Sequence, residues 1–202
     1  GLGMGVDGRR DDAMGDCGEE GLLGAYGAGE PAAARALTVR VGPKAFGLAM
    51  RMLGDRAEAE DVAQEALLRL WRAAPGWRTG EAKVSTWLYR VVSNLCIDRI
   101  RRRRGGSVDL DAVAEPLDPA RSAEQELQET ARGAALQAAL DTLPERQRQA
   151  VVLRHLEGLS NPEIAGIMEI GVRAVESLTA RGRKALEGLL ASRRAELGYD
   201  DD

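Results

Sequence analysis

Apolar residues recur every three or four positions over most of the chain, a spacing that predicts amphipathic helices. The clearest case starts near Ala59, where Val62, Ala66 and Leu70, with Ala63, Leu67 and Trp71, form one stripe. Glu58, Asp61, Glu65 and Arg69 fall elsewhere on that cylinder. Asp55 is the expected N-cap with Glu58 as its capping-box acid, and the helix should stop before Pro75 and Gly76. Upstream, a short helix is expected from Glu19 to Tyr26. A longer one then runs from Pro31 to Leu53 on Ala34, Leu37, Val41, Ala45, Leu48 and Met52. Pro43 should kink or split it near Val41, because a mid-helix proline removes a hydrogen bond and crowds the preceding turn. Downstream, Trp87, Leu88, Val91, Val92, Leu95 and Ile100 supply a buried face. Arg90, Asn94, Asp98, Arg99 and Arg101 to Arg104 gather toward solvent and the helix end.

After Arg104 the periodicity dissolves. Residues 105–121 hold Gly105, Gly106 and Ser107, then Asp109, Asp111, Glu115-Pro116 and Asp118-Pro119, and read as a flexible acidic linker. The pattern resumes near Ser122 with Leu127, Ala131, Ala135, Leu136 and Leu140. Thr142 is the expected cap of the next helix, which buries Ala150, Val151, Leu153 and Leu156 and ends at Gly158. Ser160, with Glu163 three residues on, caps a short helix from Pro162 to Met168. A turn at Glu169 to Gly171 leads to a longer helix from Val172 to Ser192. Two helices joined by so short a turn make a helix-turn-helix, although a plain helical hairpin reads alike at this level. The fold class is therefore all-α, with two small helical domains at 19–104 and 122–192. Residues 1–18 and 193–202 are expected to be disordered ends.

Composition changes this picture little. Aromatics are 3% of 202 residues, which favours helices packed through aliphatic side chains. The net charge of −4 hides a segregation, since Asp98 to Arg104 and Arg173 to Arg194 are basic. Cys17, Cys96 and the single His155 make neither a disulfide framework nor a metal site, so no cofactor or metal is expected and a reducing cytoplasm fits. No apolar run approaches the length of a membrane span. His155 has no nucleophile beside it in the sequence pattern and no phosphate-binding loop is present, so no catalytic residue is assigned.

The candidate chemistry is nucleic-acid binding. Five of the six residues from Arg99 to Arg104 are arginines, whose planar forks match phosphate oxygens and whose binding releases counterions. Trp77, Arg78 and Lys83 lie in the preceding loop, and an aromatic beside cations suits unstacked bases. On the last helix, Arg173, Glu176, Ser177 and Arg181 share or border one face, within reach of base edges or phosphates, and Arg183 and Lys184 add charge.

Two strings make this specific. One is D-x-A-E-A-E-D-V-x-Q-E-x-L-L-R-x-W from Asp55, followed by S-T-W-L-Y-R-V-V-S-N-x-x-I-D-R-I-R-R from Ser85; the other is L-P-E-R-Q-R-Q-A-V-V-L-R from Leu143 with V-x-x-V-E-S-L-x-x-R-G-R-K-A-L from Val172. In that order they resemble regions 2 and 4 of the extracytoplasmic-function (ECF) group of sigma-70 family RNA polymerase sigma factors. The resemblance spans about Glu19 to Leu190. It implies that Asp61, Gln64, Glu65 and Leu68 dock on the β′ clamp helices of core RNA polymerase, with region 4 on the β flap. It implies that Trp77, Arg78 and Asn94 hold an unstacked base of the minus-10 element, with Arg90, Arg99, Arg101, Arg102, Arg103 and Arg104 on its phosphates and Lys83 among the minus-10 contacts. Region 4 would read the minus-35 element, and an anti-sigma factor would mask both surfaces. Trp71, Trp87 and Tyr89 are assigned to the core. Ala34, Thr38, Glu176 and Leu178 depart from the residues usual in the family. A stand-alone helix-turn-helix regulator and a degenerate sigma-like interaction protein are the alternatives. Specific duplex binding without polymerase, or polymerase binding without promoter opening, would distinguish them.

Overall fold

A computed structural model describes residues 18–78, 83–105 and 123–196. The N-terminal segment, nearly all of the linker and the last residues of the tail lie outside them. Among the described residues eight α-helices follow in order: α1 (Glu19–Gly27), α2 (Pro31–Leu53), α3 (Arg56–Ala73), α4 (Val84–Gly105), α5 (Ala123–Thr142), α6 (Glu145–Val151), α7 (Asn161–Met168) and α8 (Val172–Glu196). A 3-10 turn, Ala74–Gly76, closes α3, and a π segment, Val152–Leu156, continues α6. No strand occurs among the described residues.

The helix ends follow local chemistry. The Asp55 side chain accepts a hydrogen bond from the Glu58 N–H at 2.9 Å, and Ser160 accepts from the Glu163 N–H at 3.3 Å, as the capping boxes require. Gly54 stops α2 in the left-handed region at φ 69°, where a side chain would be strained. Other expectations fail for identifiable reasons. Pro43 does not split α2, which runs unbroken for 23 residues. Thr142 does not cap α6: its hydroxyl bonds back to the Ala139 carbonyl at 2.7 Å, and Pro144 is the residue before the helix. Helix α8 continues past the expected end at Ser192, through Arg193 and Arg194.

Helices α1 to α4 form one bundle. Leu37, Val41, Ala45, Leu48 and Met52 of α2 pack against Val62, Ala66 and Leu70 of α3 and Leu88, Val92 and Cys96 of α4, all buried. The buried residue in the first turn of α2 is Ala33, not Ala34. Thr38 is exposed and bonds to the Ala34 carbonyl at 2.8 Å, and Ala34 is only partly buried, so neither is a fully buried core residue. Rings of Tyr26 and Trp71, 4.8 Å apart, join α1 to α3.

Helices α5 to α8 form a second bundle around Leu140, Val151, Leu153, Ile164, Ile167 and Val175. Its tightest point is Gly182, where a Cβ would fall 2.4 Å from Val151 Cγ2, so α6 and α8 cross at glycine distance. Leu156, expected inside, is 40% exposed, because the π segment rotates it off the buried side. The two bundles are not separate beads: their buried side chains make one continuous apolar cluster.

Candidate nucleic-acid and polymerase interfaces

Helix α3 shows a mixed outer face. Asp61, Gln64 and Leu68 are exposed and Glu65 is half-exposed, paired with Arg69 at 3.1 Å. Leu68 is 48% exposed amid these polar groups. An exposed apolar residue among Gln64, Glu65 and the Glu65–Arg69 pair fits a protein partner better than nucleic acid.

The loop before α4 is described only at its ends. Trp77 is half-buried and meets the Trp87 ring edge-on at 5.8 Å, with its indole N–H buried and unpaired. Arg78 and Lys83 are exposed. On α4, Asn94 is exposed and one face away from Leu88, Val92 and Cys96. Burial pushes the Cys96 thiol up to about 12, against the pull of Arg99 and Arg148, so this cysteine is an inert core residue. Tyr89 is buried, and Trp71 and Trp87 are partly buried against the core.

The α4 arginines are not idle in solvent. Arg99 lies 3.8 Å from Glu58, and Arg103 pairs with Glu58 while donating to the Leu53 carbonyl at 3.0 Å. Arg101 and Arg104 converge on Glu145 of the second bundle, at 3.5 and 2.7 Å. Arg90 donates to the Gly166 carbonyl at 2.5 Å and lies 3.8 Å from Glu169. Arg102 alone of the set has no protein partner among the described residues. Glu145 is held below the usual carboxylate range. Its own main-chain N–H contributes most to that, the Arg104 and Arg101 guanidiniums add to it, and partial burial opposes it.

One residue of this junction went unread in the sequence. Arg148 is 6% exposed and bridges the bundles, donating to the Met52 carbonyl at 2.5 Å, Asp141 at 2.8 Å and Leu143 at 3.0 Å. Desolvation lowers its pKa. In the sequence it is one more arginine of a polar run, Glu145-Arg146-Gln147-Arg148. The signal was its position, three residues before buried Val151 and on the same helical face. Tyr89, with its pKa raised mainly by burial and then by Glu157, likewise crosses the junction to donate to Glu157 at 2.9 Å.

Helix α8 is arranged differently. Val175, Thr179, Gly182 and Leu186 form its buried side. Arg173, Ser177 and Lys184 point the opposite way, with Glu176 and Arg181 on the flanks, and all five are exposed. Arg183 is also exposed but pairs along the helix with Glu187 at 3.0 Å. Leu178 is half-buried against the core, so a basic residue there would not reach solvent freely. Among the described residues no cluster of His, Cys, Asp and Glu has metal-site geometry, and no helix is long and apolar enough to cross a membrane.

Residues 37–105 match the family model for sigma-70 region 2, and residues 133–186 match that for sigma-70 region 4. The chain is 38% identical over 157 residues to the ECF RNA polymerase sigma factor SigE of Mycolicibacterium smegmatis. That alignment covers 76% of this chain and 60% of the relative. It is 34% identical to the ECF sigma factor SigW of Bacillus subtilis, over 71% of this chain and 81% of the relative. Among solved structures, CnrH in complex with the cytosolic domain of CnrY is similar at a TM-score of 0.64 and 26% identity, covering 86% of this chain and 97% of that one. Two bundles in this order, with these helices and these relatives, make the chain a member of the ECF group of sigma-70 family RNA polymerase sigma factors.

Proposed function

We propose that the chain joins core RNA polymerase and selects promoters, the first bundle (residues 19–104) acting on the minus-10 element and the second (residues 122–192) on the minus-35 element. The observation that carries this is the separation of three surfaces with different chemistry on one small molecule. The α3 face, Asp61, Gln64, Glu65 and Leu68, sets an exposed apolar residue among polar and acidic ones and suits a protein surface, which we assign to the clamp helices of the polymerase β′ subunit. The end of α4, with Asn94 and the arginines from Arg90 to Arg104, suits a single strand whose base is held near Trp77 and Arg78. The outer face of α8 suits the major groove, with Arg173, Arg181 and Lys184 toward phosphates or guanine and Glu176 able to accept from a cytosine amino group.

Control by a protein that covers these surfaces supports the same reading. CnrH, of similar fold, is bound by a cytosolic domain of another protein, and Leu68, Leu156 and Leu189 are exposed apolar points for such a partner. We assign that role to an anti-sigma factor.

The test is start-site mapping of a promoter library transcribed by bacterial core polymerase with and without this chain. Start sites that need the chain, and that are lost with Asn94→Ala, are expected. Polymerase binding without any new start site contradicts the proposal.

A further inference from the structure

The arginines of α4 do not share one side of the helix. Measured from Asn94 at about 100° per residue, Arg90 and Arg101 fall within about 40°, with Arg102 and Arg104 about 80° to either side. Arg99 lies about 140° away and Arg103 about 180° away, on the side that buries Val92, Cys96 and Ile100. A strand whose base is held at Asn94 is out of reach of that side. What Arg99 and Arg103 meet instead is the corner between α2 and α3. Arg103 donates at 3.0 Å to the carbonyl of Leu53, the last residue of α2, and pairs with Glu58 in the first turn of α3. Arg99, one turn back, lies 3.8 Å from the same carboxylate.

These contacts answer needs of the corner itself. The last carbonyls of a helix lack intrahelical partners and carry the negative end of its dipole, so the Arg103 fork serves the end of α2. Glu58 stands at the start of α3, where an acid is favoured, and its N–H donates to the capping Asp55 side chain. Its Oε2 is shut off from water, so without Arg103 that charge would stand uncompensated. We infer that the arginine run is divided by role. Glu58, Arg99 and Arg103 are positioning residues that fix the basic end of α4 to the α2–α3 corner, and strand phosphates are met from the Asn94 side by Arg90, Arg101 and Arg102. Arg102 is exposed and has no protein partner among the described residues, so it meets a phosphate without giving up any contact. This rests on the reading of the first bundle as the strand-binding one, and narrows it. The corner also heads α3, so the same contacts set the strand-facing end of α4 against the helix that carries the polymerase-facing side.

The experiment follows the anisotropy of a fluorescein-labelled mixed-sequence DNA strand of about 12 nucleotides on the full chain across a range of salt. Arg102→Ala is expected to lower the slope of log affinity against log salt by about 0.7, the contribution of one single-strand phosphate. Arg103→Ala and Arg99→Ala are expected to leave that slope within about 0.2 of the parent value. Arg99→Ala gives up only the longer pair, so it keeps the comparison in force if Arg103→Ala unfolds the chain. A slope lowered by about 0.7 in either of these two variants would overturn the division. Thermal melting reads the positioning role. Glu58→Gln and Arg103→Ala should each lower Tm by about 4 °C, and the double variant should melt no lower than Arg103→Ala alone, because both changes break one pair. Additive losses would contradict the positioning role while Arg102→Ala still lowers the salt slope. Strand binding unaltered by both Asn94→Ala and Arg102→Ala would instead remove the strand-binding reading, and the division with it, and leave the melting coupling in place, so the two failures are distinct.

Discussion

Helices α4 and α8 are both rich in arginine, yet the arginines of α4 and the outward set Arg173, Arg181, Arg183 and Lys184 of α8 are in opposite states. On α4, Arg90, Arg99, Arg101, Arg103 and Arg104 all have protein acceptors, three of them through the second bundle. On α8, Arg173, Arg181 and Lys184 have no protein partner among the described residues, and the one bonded cation of the set, Arg183, pairs within its own helix. Similar composition thus yields one covered surface and one open surface. What differs is placement: α4 ends where another bundle begins, whereas α8 buries one side against α6 and turns the other outward. A basic run predicts affinity for phosphate, and its neighbours decide whether that affinity is available.

The comparison can be broken first at Arg148, which the covered side depends on most. Arg148→Ala leaves three carbonyls without their donor in a largely buried junction, and a loss of about 3 kcal/mol in urea unfolding is expected. A loss below about 1 kcal/mol would mean the junction is incidental to stability. The open side depends on Gly182. Gly182→Val forces α8 away from Val151 and Gln147 and should lower stability by about 2 kcal/mol, with duplex binding reduced in parallel. Asp55→Ala removes the cap that starts α3, and about 1 kcal/mol is expected by thermal melting, with the polymerase-facing side weakened and α8 untouched.

Two smaller effects sharpen the contrast. Arg173→Ala should lower the slope of log affinity against log salt for duplex DNA by about one phosphate, while Arg104→Ala, whose guanidinium is already paired with Glu145, changes that slope less. For pH, the Glu145 carboxyl lies below its ordinary 4.5 in the folded chain. Its contribution is therefore fully present above about 4.5 and is lost as pH falls through the lowered folded value. Urea unfolding at neutral and acid pH should show that contribution at neutral pH and its loss in acid, and Glu145→Gln should abolish that part of the acid response.

Much of this was legible in the sequence. The helices of both bundles follow from apolar spacing, and the caps at Asp55 and Ser160 were read from single residues because capping is local chemistry. The failures share a cause. Ala33 rather than Ala34 faces the core, Thr142 bonds backward instead of capping, and Leu156 turns outward on a π segment: each is decided by a rotation of a fraction of a turn, which spacing averages over. Arg148 and the Arg104–Glu145 pair were invisible for a deeper reason, since they join residues 41 to 96 positions apart and no local pattern encodes the pairing.

The central claim is a chain that joins core polymerase and selects promoters through three separate surfaces. It is tested most directly by transcription from a promoter library with bacterial core polymerase and this chain carrying Asn94→Ala or Arg173→Ala, both exposed positions. Loss of the chain-dependent start sites in each variant, with polymerase binding retained, is the predicted result. Start sites unchanged in both variants would contradict it.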